Sequence, residues 1–358
     1  MSDDPINVLF ATCRMRASSD AAWGADFTDT VAAFPGTPDG LSCGVATLSG
    51  IRIDSADAGT IDKIGPISPR GFSEAQLAEL LAPANSKDIL VFVHGTDNSF
   101  RDALARTAYN WKWLKDGGIA GSDKPDPSNF DMIAFTWPAR GYSDTNFLGY
   151  ANLSGDYQDY RHDQDQATKS AYYFGYFLQL IAALRQRTGR RRVNLLCHSM
   201  GHYMLGAAVE MMFAQGQAPS APLFDEIVLA AGDELATTFA IPNGGRLSNL
   251  WRLGNEITVY SNKNDALMKL SRIVNAADGN RLGYEGPPNA ADTRFFSSNV
   301  YEFIDCTGID DSLGKGLMDT HQYYRESRKV RADIVSVLLG SQRDLNHYDY
   351  ADNMYRLF

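Results

Sequence analysis

A serine stands at the end of an apolar run in Arg192-Val193-Asn194-Leu195-Leu196-Cys197-His198-Ser199-Met200-Gly201-His202, and Tyr203-Met204-Leu205-Gly206 continues as a helix. At such a strand-to-helix corner the backbone turns sharply and pushes the hydroxyl out, the geometry of a nucleophile elbow. The pattern wants glycine two residues before and two after the serine, because neighbouring elements approach closely there. Gly201 meets it, and Cys197 stands where the first glycine would, cysteine being small enough for the turn. The competing reading is a serine that merely caps the helix. Partner residues elsewhere in the chain decide between them.

Acyl transfer by serine also needs a base, an orienting acid and an oxyanion hole. Elbow serines are followed in the chain by the acid and then the histidine, and of six histidines His94 and His162 come before Ser199. His198 neighbours the serine and points elsewhere; His202 follows on the same helix and is poorly placed. His347 lies in a polar, aromatic tail and reads as a surface residue. His321, in Asp319-Thr320-His321-Gln322-Tyr323, lies between the last strand candidate and the last long helix, so order and position both favour it as base. Two aspartates close strand candidates downstream of the serine. Asp265 ends Val259–Asn264 and precedes a helix start at Ala266-Leu267; it follows the later strand, the commoner arrangement. Asp233 ends Ile227–Gly232 and stays open as the alternative acid. Either could instead be a helix N-cap.

The run Leu90-Val91-Phe92-Val93-His94-Gly95-Thr96-Asp97-Asn98 reads as a strand ending in His-Gly. The backbone N–H groups of Thr96 and Met200 are the expected oxyanion donors, and Gly95 lets the chain turn without steric cost. His94, Gly95, Asp97, Trp137 and His198 are expected around the substrate pocket. This chemistry requires no metal. Gly244-Gly245 lacks the strand–loop–helix setting of a phosphate cradle, and no cofactor is expected.

Elements must hold these residues in place. Strand candidates are Ile6–Cys13, Gly44–Leu48 with Ile51–Ile53, Ile89–His94, Met132–Trp137, Val193–Cys197, Ile227–Ala231, Ile257–Tyr260 and Val300–Ile304. The first two read as an antiparallel edge. Helices begin near Ser73-Glu74, Phe100-Arg101, Asp165, Met200 and Arg325. Strand and helix alternate from Ile89 onward, which implies a mostly parallel sheet of about eight strands with helices on both faces. Residues 140–163, rich in Tyr, Asp and Asn, and residues 235–252 break the rhythm and are candidate lids. The 358 residues read as a single domain, and 44% hydrophobic content supplies a large core.

A net charge of −10 disfavours nucleic acid or an anionic membrane as the main partner. The start, Met1-Ser2-Asp3-Asp4-Pro5, lacks the features of a secretory signal. No apolar run reaches the ~18 residues of a membrane helix. Cys13, Cys43, Cys197 and Cys306 lie far apart with no CxxC pair or zinc spacing. Buried free thiols in a reducing, cytoplasmic compartment are the expectation, and nothing speaks to the oligomeric state.

One family carries the whole set in order: Phe10-Ala11-Thr12, Val93-His94-Gly95 with Asn98-Ser99-Phe100, Phe135-Thr136-Trp137-Pro138, His198-Ser199-Met200-Gly201, Leu229-Ala230-Ala231 with Asp233, and Tyr260-Ser261 with Asn264-Asp265-Ala266-Leu267. From about Ile6 to Leu339 the chain resembles a bacterial α/β-hydrolase family of unassigned role, described as esterase/lipase-like. The resemblance implies the α/β-hydrolase fold, with Ser199 as nucleophile, Asp265 as acid and His321 as base. The chain departs at Cys13, where the family has Asn, and at Thr96-Asp97, where it favours an aromatic and then Asn. A carboxylate at 97, if it points inward, would oppose the charge that develops in an oxyanion hole. The expected activity is hydrolysis of a small-molecule carboxylic ester. A lipase, thioesterase or lactonase of the same mechanism, or a silent hydrolase fold that only binds, are the alternatives.

Overall fold

The computed structural model describes residues 5–17, 27–32, 40–51, 60–65, 72–81, 87–116, 130–140, 158–188, 192–240, 245–275, 279–288, 290–292, 296, 299–312, 319–341, 343, 348–349 and 354–358. Runs of Val, Ile, Leu and Phe form its central strands. All residues of Phe130–Thr136 and Val193–His198 are buried, as expected of strands in a parallel sheet covered on both faces.

Numbered along the chain, the strands are β1 (Ile6–Thr12), β2 (Arg14–Arg16), β3 (Phe27–Val31), β4 (Ser42–Ser49), β5 (Thr60–Ile64), β6 (Asp88–Val93), β7 (Phe130–Thr136), β8 (Val193–His198), β9 (Phe224–Ala230), β10 (Gly254–Ser261), β11 (Tyr301–Asp305), β12 (Tyr348–Asp349) and β13 (Met354–Arg356). Among the described residues eleven join one sheet in the order β12-β13-β11-β10-β9-β8-β6-β7-β1-β4-β5, and β2 pairs with β3 apart from it. From β1 to β13 the neighbours are parallel; β4 and β5 at one margin and β12 at the other are antiparallel. The expected eight strands are present, although β4 ends at Ser49, so Ile51 is outside it and residues 52–53 lie outside the described residues. The correction to eleven comes from β5, β12 and β13, which are short and polar and give no apolar run to read.

The helices are α1 (Glu74–Leu81), α2 (Phe100–Asp116), α3 (Gln158–Thr188), α4 (Gly201–Ala214), α5 (Ala266–Val274), α6 (Leu282–Glu285), α7 (Tyr323–Glu326) and α8 (Arg328–Leu339). Ser73 and Gln76 close a capping box at α1: the Gln76 N–H donates to Ser73 Oγ at 3.3 Å and the Ser73 N–H to Gln76 Oε1 at 2.8 Å. Side chains two apart along a strand share a face, so Val91 and Leu195 join one core while Phe92 and Leu196 join the other. The first core packs under α1, α3 and α4, the second under α2 and α8. Each fully buried Leu or Phe contributes about 1.5–3 kcal/mol.

α3 begins at Gln158 rather than near Asp165, so residues 158–163 of the first lid candidate are helix, and residues 141–157 lie outside the described residues. In the second candidate, Phe239, Leu247 and Leu250 are buried in the first core, and residues 241–244 lie outside the described residues. These three side chains belong to the packing of the described part. No helix among the described residues is long and apolar enough to cross a membrane.

Candidate active site

β8 ends in the elbow, and Ser199 adopts a left-handed φ of 54°, a conformation that L-residues other than Gly, Asn and Asp adopt only under constraint. Three backbone bonds fix it: the Ser199 N–H donates to Ala230 O at 3.1 Å, and its carbonyl accepts from the Asp233 N–H at 3.1 Å and the His202 N–H at 3.0 Å. His202 Nδ1 donates to the same carbonyl at 2.8 Å. Burial pulls His202 down to about 4, so it sits neutral beneath the turn. Gly201 is required by close approach, since a Cβ there would lie 2.7 Å from the His94 carbonyl oxygen and 3.2 Å from Cys197 Sγ. Cys197 thus packs under the elbow, and burial pushes its thiol well above the ordinary range, so it is no rival nucleophile.

The sheet brings His321 and Asp265 together from positions 56 residues apart: His321 Nδ1 donates to Asp265 Oδ2 at 2.7 Å, and both residues are buried. Asp265 ends the loop after β10 and caps α5 as well, its Oδ1 accepting from the Leu267 and Met268 N–H groups at 3.0 Å each. The two expectations for this residue, acid and N-cap, are met by different oxygens of one carboxylate. His198, beside the serine, donates from Nε2 to the His321 carbonyl at 3.3 Å. Its ring lies between those of His321 and Tyr324, with centroids 4.8 and 4.6 Å away. Burial, then the His321 charge, lower its pKa well below the ordinary value.

Asp233 is occupied elsewhere. Its carboxylate accepts from Arg281 Nε and Nη2 at 2.9 and 2.7 Å, from Ser271 at 2.5 Å and from Tyr160 at 2.8 Å. Burial alone would raise its pKa, but Arg281 and these bonds outweigh that and hold it below the ordinary value. The geometry therefore offers Asp265, not Asp233, to the imidazole.

The Gly95 turn lies against the elbow. A Cβ on Gly95 would come 2.5 Å from Ser199 Cβ and 3.0 Å from its Oγ, so glycine is needed here for contact with the serine rather than for a left-handed turn. Asp97 instead takes the positive φ, 59°. Asp163 of α3 clamps this loop, accepting from Thr96 Oγ1 at 2.5 Å and the Asp97 N–H at 3.1 Å through one oxygen, and from the Arg140 N–H at 3.0 Å through the other. Arg14, also buried, donates to the carbonyls of Asn98 at 2.6 Å, Thr28 at 3.1 Å and Ala139 at 3.2 Å. Burial raises the Asp97 carboxyl to about 8 despite the Arg106 charge, so it is neutral at pH 7. The departure from the family pattern therefore adds no negative charge beside the loop at that pH.

His94 and Trp137, expected to line a pocket, brace this turn from behind. The Trp137 N–H donates to His94 Nε2 at 3.1 Å, which puts the proton on Nδ1, donating to the Gly95 carbonyl at 2.8 Å. The Trp137 indole N–H donates to the His94 carbonyl at 2.9 Å, the rings stack at 5.2 Å, and both residues are buried. The Met200 N–H belongs to the unsatisfied first turn ahead of α4, at the positive end of the helix dipole. His347 lies outside the described residues. Sequence reading missed Asp163 and Arg14, because each reaches the loop from 66 or more residues away and neither carries a motif. No cluster of His, Cys, Asp and Glu able to hold a metal occurs among the described residues.

A mostly parallel sheet with a serine elbow at the carboxyl edge of one strand, and a buried Asp–His pair from later loops, is the architecture of the α/β hydrolases. The chain belongs to the family described as "Alpha/beta hydrolase of unknown function (DUF900)", whose model matches residues 70–342. No curated protein matches it.

Proposed function

We propose that the protein is a serine hydrolase that cleaves carboxylic esters through an acyl-enzyme. The observation that carries this is the 2.7 Å bond from His321 Nδ1 to Asp265 Oδ2. It leaves Nε2 as the ring nitrogen available to take a proton, on a residue whose backbone is tied to the neighbour of Ser199. In this reading Ser199 Oγ attacks the ester carbonyl as His321 accepts its proton. The Thr96 and Met200 N–H groups stabilise the tetrahedral oxyanion. His321 then protonates the leaving alcohol and activates the water that releases the acid. Asp265 holds the tautomer and stabilises the imidazolium. Cleavage of a thioester or lactone would use the same groups.

A fluorophosphonate probe tests this directly. Wild type should label, and Ser199→Ala and His321→Ala should not. Folded wild type that fails to label would mean that the elbow is unarmed and that the fold serves as a binding module.

A further inference from the structure

Arg106 of α2 and Arg325 of α7 converge on one atom. The Gln322 side-chain oxygen accepts from Arg325 Nε at 2.9 Å and from Arg106 Nη1 at 3.5 Å. Gln322 directly follows His321, so both guanidiniums come together beside the base of the proposed reaction. Arg325 lies 4.8 Å over the Tyr109 ring, and Tyr324, the residue before it, packs on His198. The Arg106 charge also bears on His94, His198 and Asp97, residues of the two turns that meet at Ser199.

Three arginines elsewhere are tied off, whereas Arg331 of α8 is buried with Nε and Nη1 unbonded. Arg14 holds three carbonyls, Arg281 pairs with Asp233, and Arg343 pairs with Asp333 and Glu302. Arg106 and Arg325, each half-buried, form no ion pair among the described residues. Burial and then the Arg325 charge draw Arg106 down only to about 10, so it stays cationic at neutral pH. Of the two carboxylates that act on Arg106, Asp97 is protonated below about pH 8, and Asp102, which accepts from the Ser99 N–H and Oγ, offsets one of the two arginine charges at most. Two like charges partly out of water repel each other, and an anion between them would relieve both costs. Guanidinium forks match carboxylate and phosphate oxygens in shape as well as charge.

We infer that Arg106, Arg325 and Gln322 form an anion subsite, and that the ester accepted carries a carboxylate or phosphate a few atoms from its carbonyl. The hydrolytic part of this inference rests on the esterase reading; the binding part does not.

Calorimetry on Ser199→Ala, which leaves an ester intact, tests it with three probes: monomethyl butanedioate, the acetyl ester of 2-hydroxyethyl phosphate, and neutral methyl pentanoate. At least one anionic ester should bind tenfold or more tighter than methyl pentanoate, and which one does so separates carboxylate from phosphate recognition. Adding Arg325→Gln or Arg106→Gln should erase that ratio. Thermal unfolding checks each variant, and Arg325→Gln, on a short half-buried helix, decides if Arg106→Gln fails to fold. Equal binding of all three probes, or a preference that survives Arg325→Gln, overturns the subsite. Labelling of Ser199 without an anion preference would sink the subsite alone; an anion preference without labelling would sink only the hydrolase reading.

Discussion

Contact between Gly95 and Ser199 leaves no room for even one carbon at position 95. Gly95→Ala should therefore displace the serine or the Thr96 N–H, and turnover should fall about 10²–10³-fold, the scale of a lost oxyanion donor, with circular dichroism unchanged. Asp97 offers a second test through its raised pKa. Unfolded, its carboxyl loses the proton near pH 4; folded, it keeps it to about 8. Stability from this group is thus complete below pH 4 and is lost as pH rises through 8. Asn mimics the protonated acid and tolerates the left-handed backbone. Asp97→Asn should gain on the order of 2 kcal/mol relative to wild type between pH 6 and 9 in urea titrations. It should also remove the fall in kcat/KM that is expected of wild type above pH 8. Chain order and residue type made Ser199, His321 and Asp265 candidates in the sequence, and the structure brings the last two together. Arg106 and Asp163 were not candidates, since an Arg on a helix and an Asp near a helix start look like solvated charge until the fold shows what faces them.

At the scale of elements, α5 begins on the carboxylate that orients His321. Asn caps a helix about as well as Asp but presents its amide wrongly to the imidazole. Asp265→Asn should cost about 10³–10⁴ in turnover while the denaturation midpoint barely moves. Asp265→Ala should cost a similar factor and about 1 kcal/mol more in stability. A midpoint equal for the two variants would show that the cap contributes nothing. Strands with apolar runs could be read directly, β6 through β11 within two or three residues at each end. The early start of α3 could not, because Gln158 to Asp163 is polar and its helical register is set by Tyr160 and Asp163 packing inward.

Across the whole molecule, the Asp233–Arg281 pair joins the end of β9, α3 through Tyr160, α5 through Ser271 and the segment leading into α6. Both partners are 2% exposed. Arg281→Met would strand a buried carboxylate, and a loss of about 3–5 kcal/mol is expected, read from urea unfolding. Ester turnover per folded molecule should change little. Nothing in the sequence marked this knot, because its members are scattered from Tyr160 to Arg281.

Arg14 carries one further consequence. It lies before residue 70, where the family match begins, yet it bonds the Asn98 carbonyl at the end of the Thr96 loop and the Ala139 carbonyl after β7. It opens β2, two residues past the end of β1, which pairs with β7 as Leu9 with Ile133, far along the chain. Such distant closure is slow. After dilution from denaturant, helical ellipticity should return first and catalysis only with the last kinetic phase. During synthesis, β1 must wait for β7 before the loop that Arg14 braces can ripen.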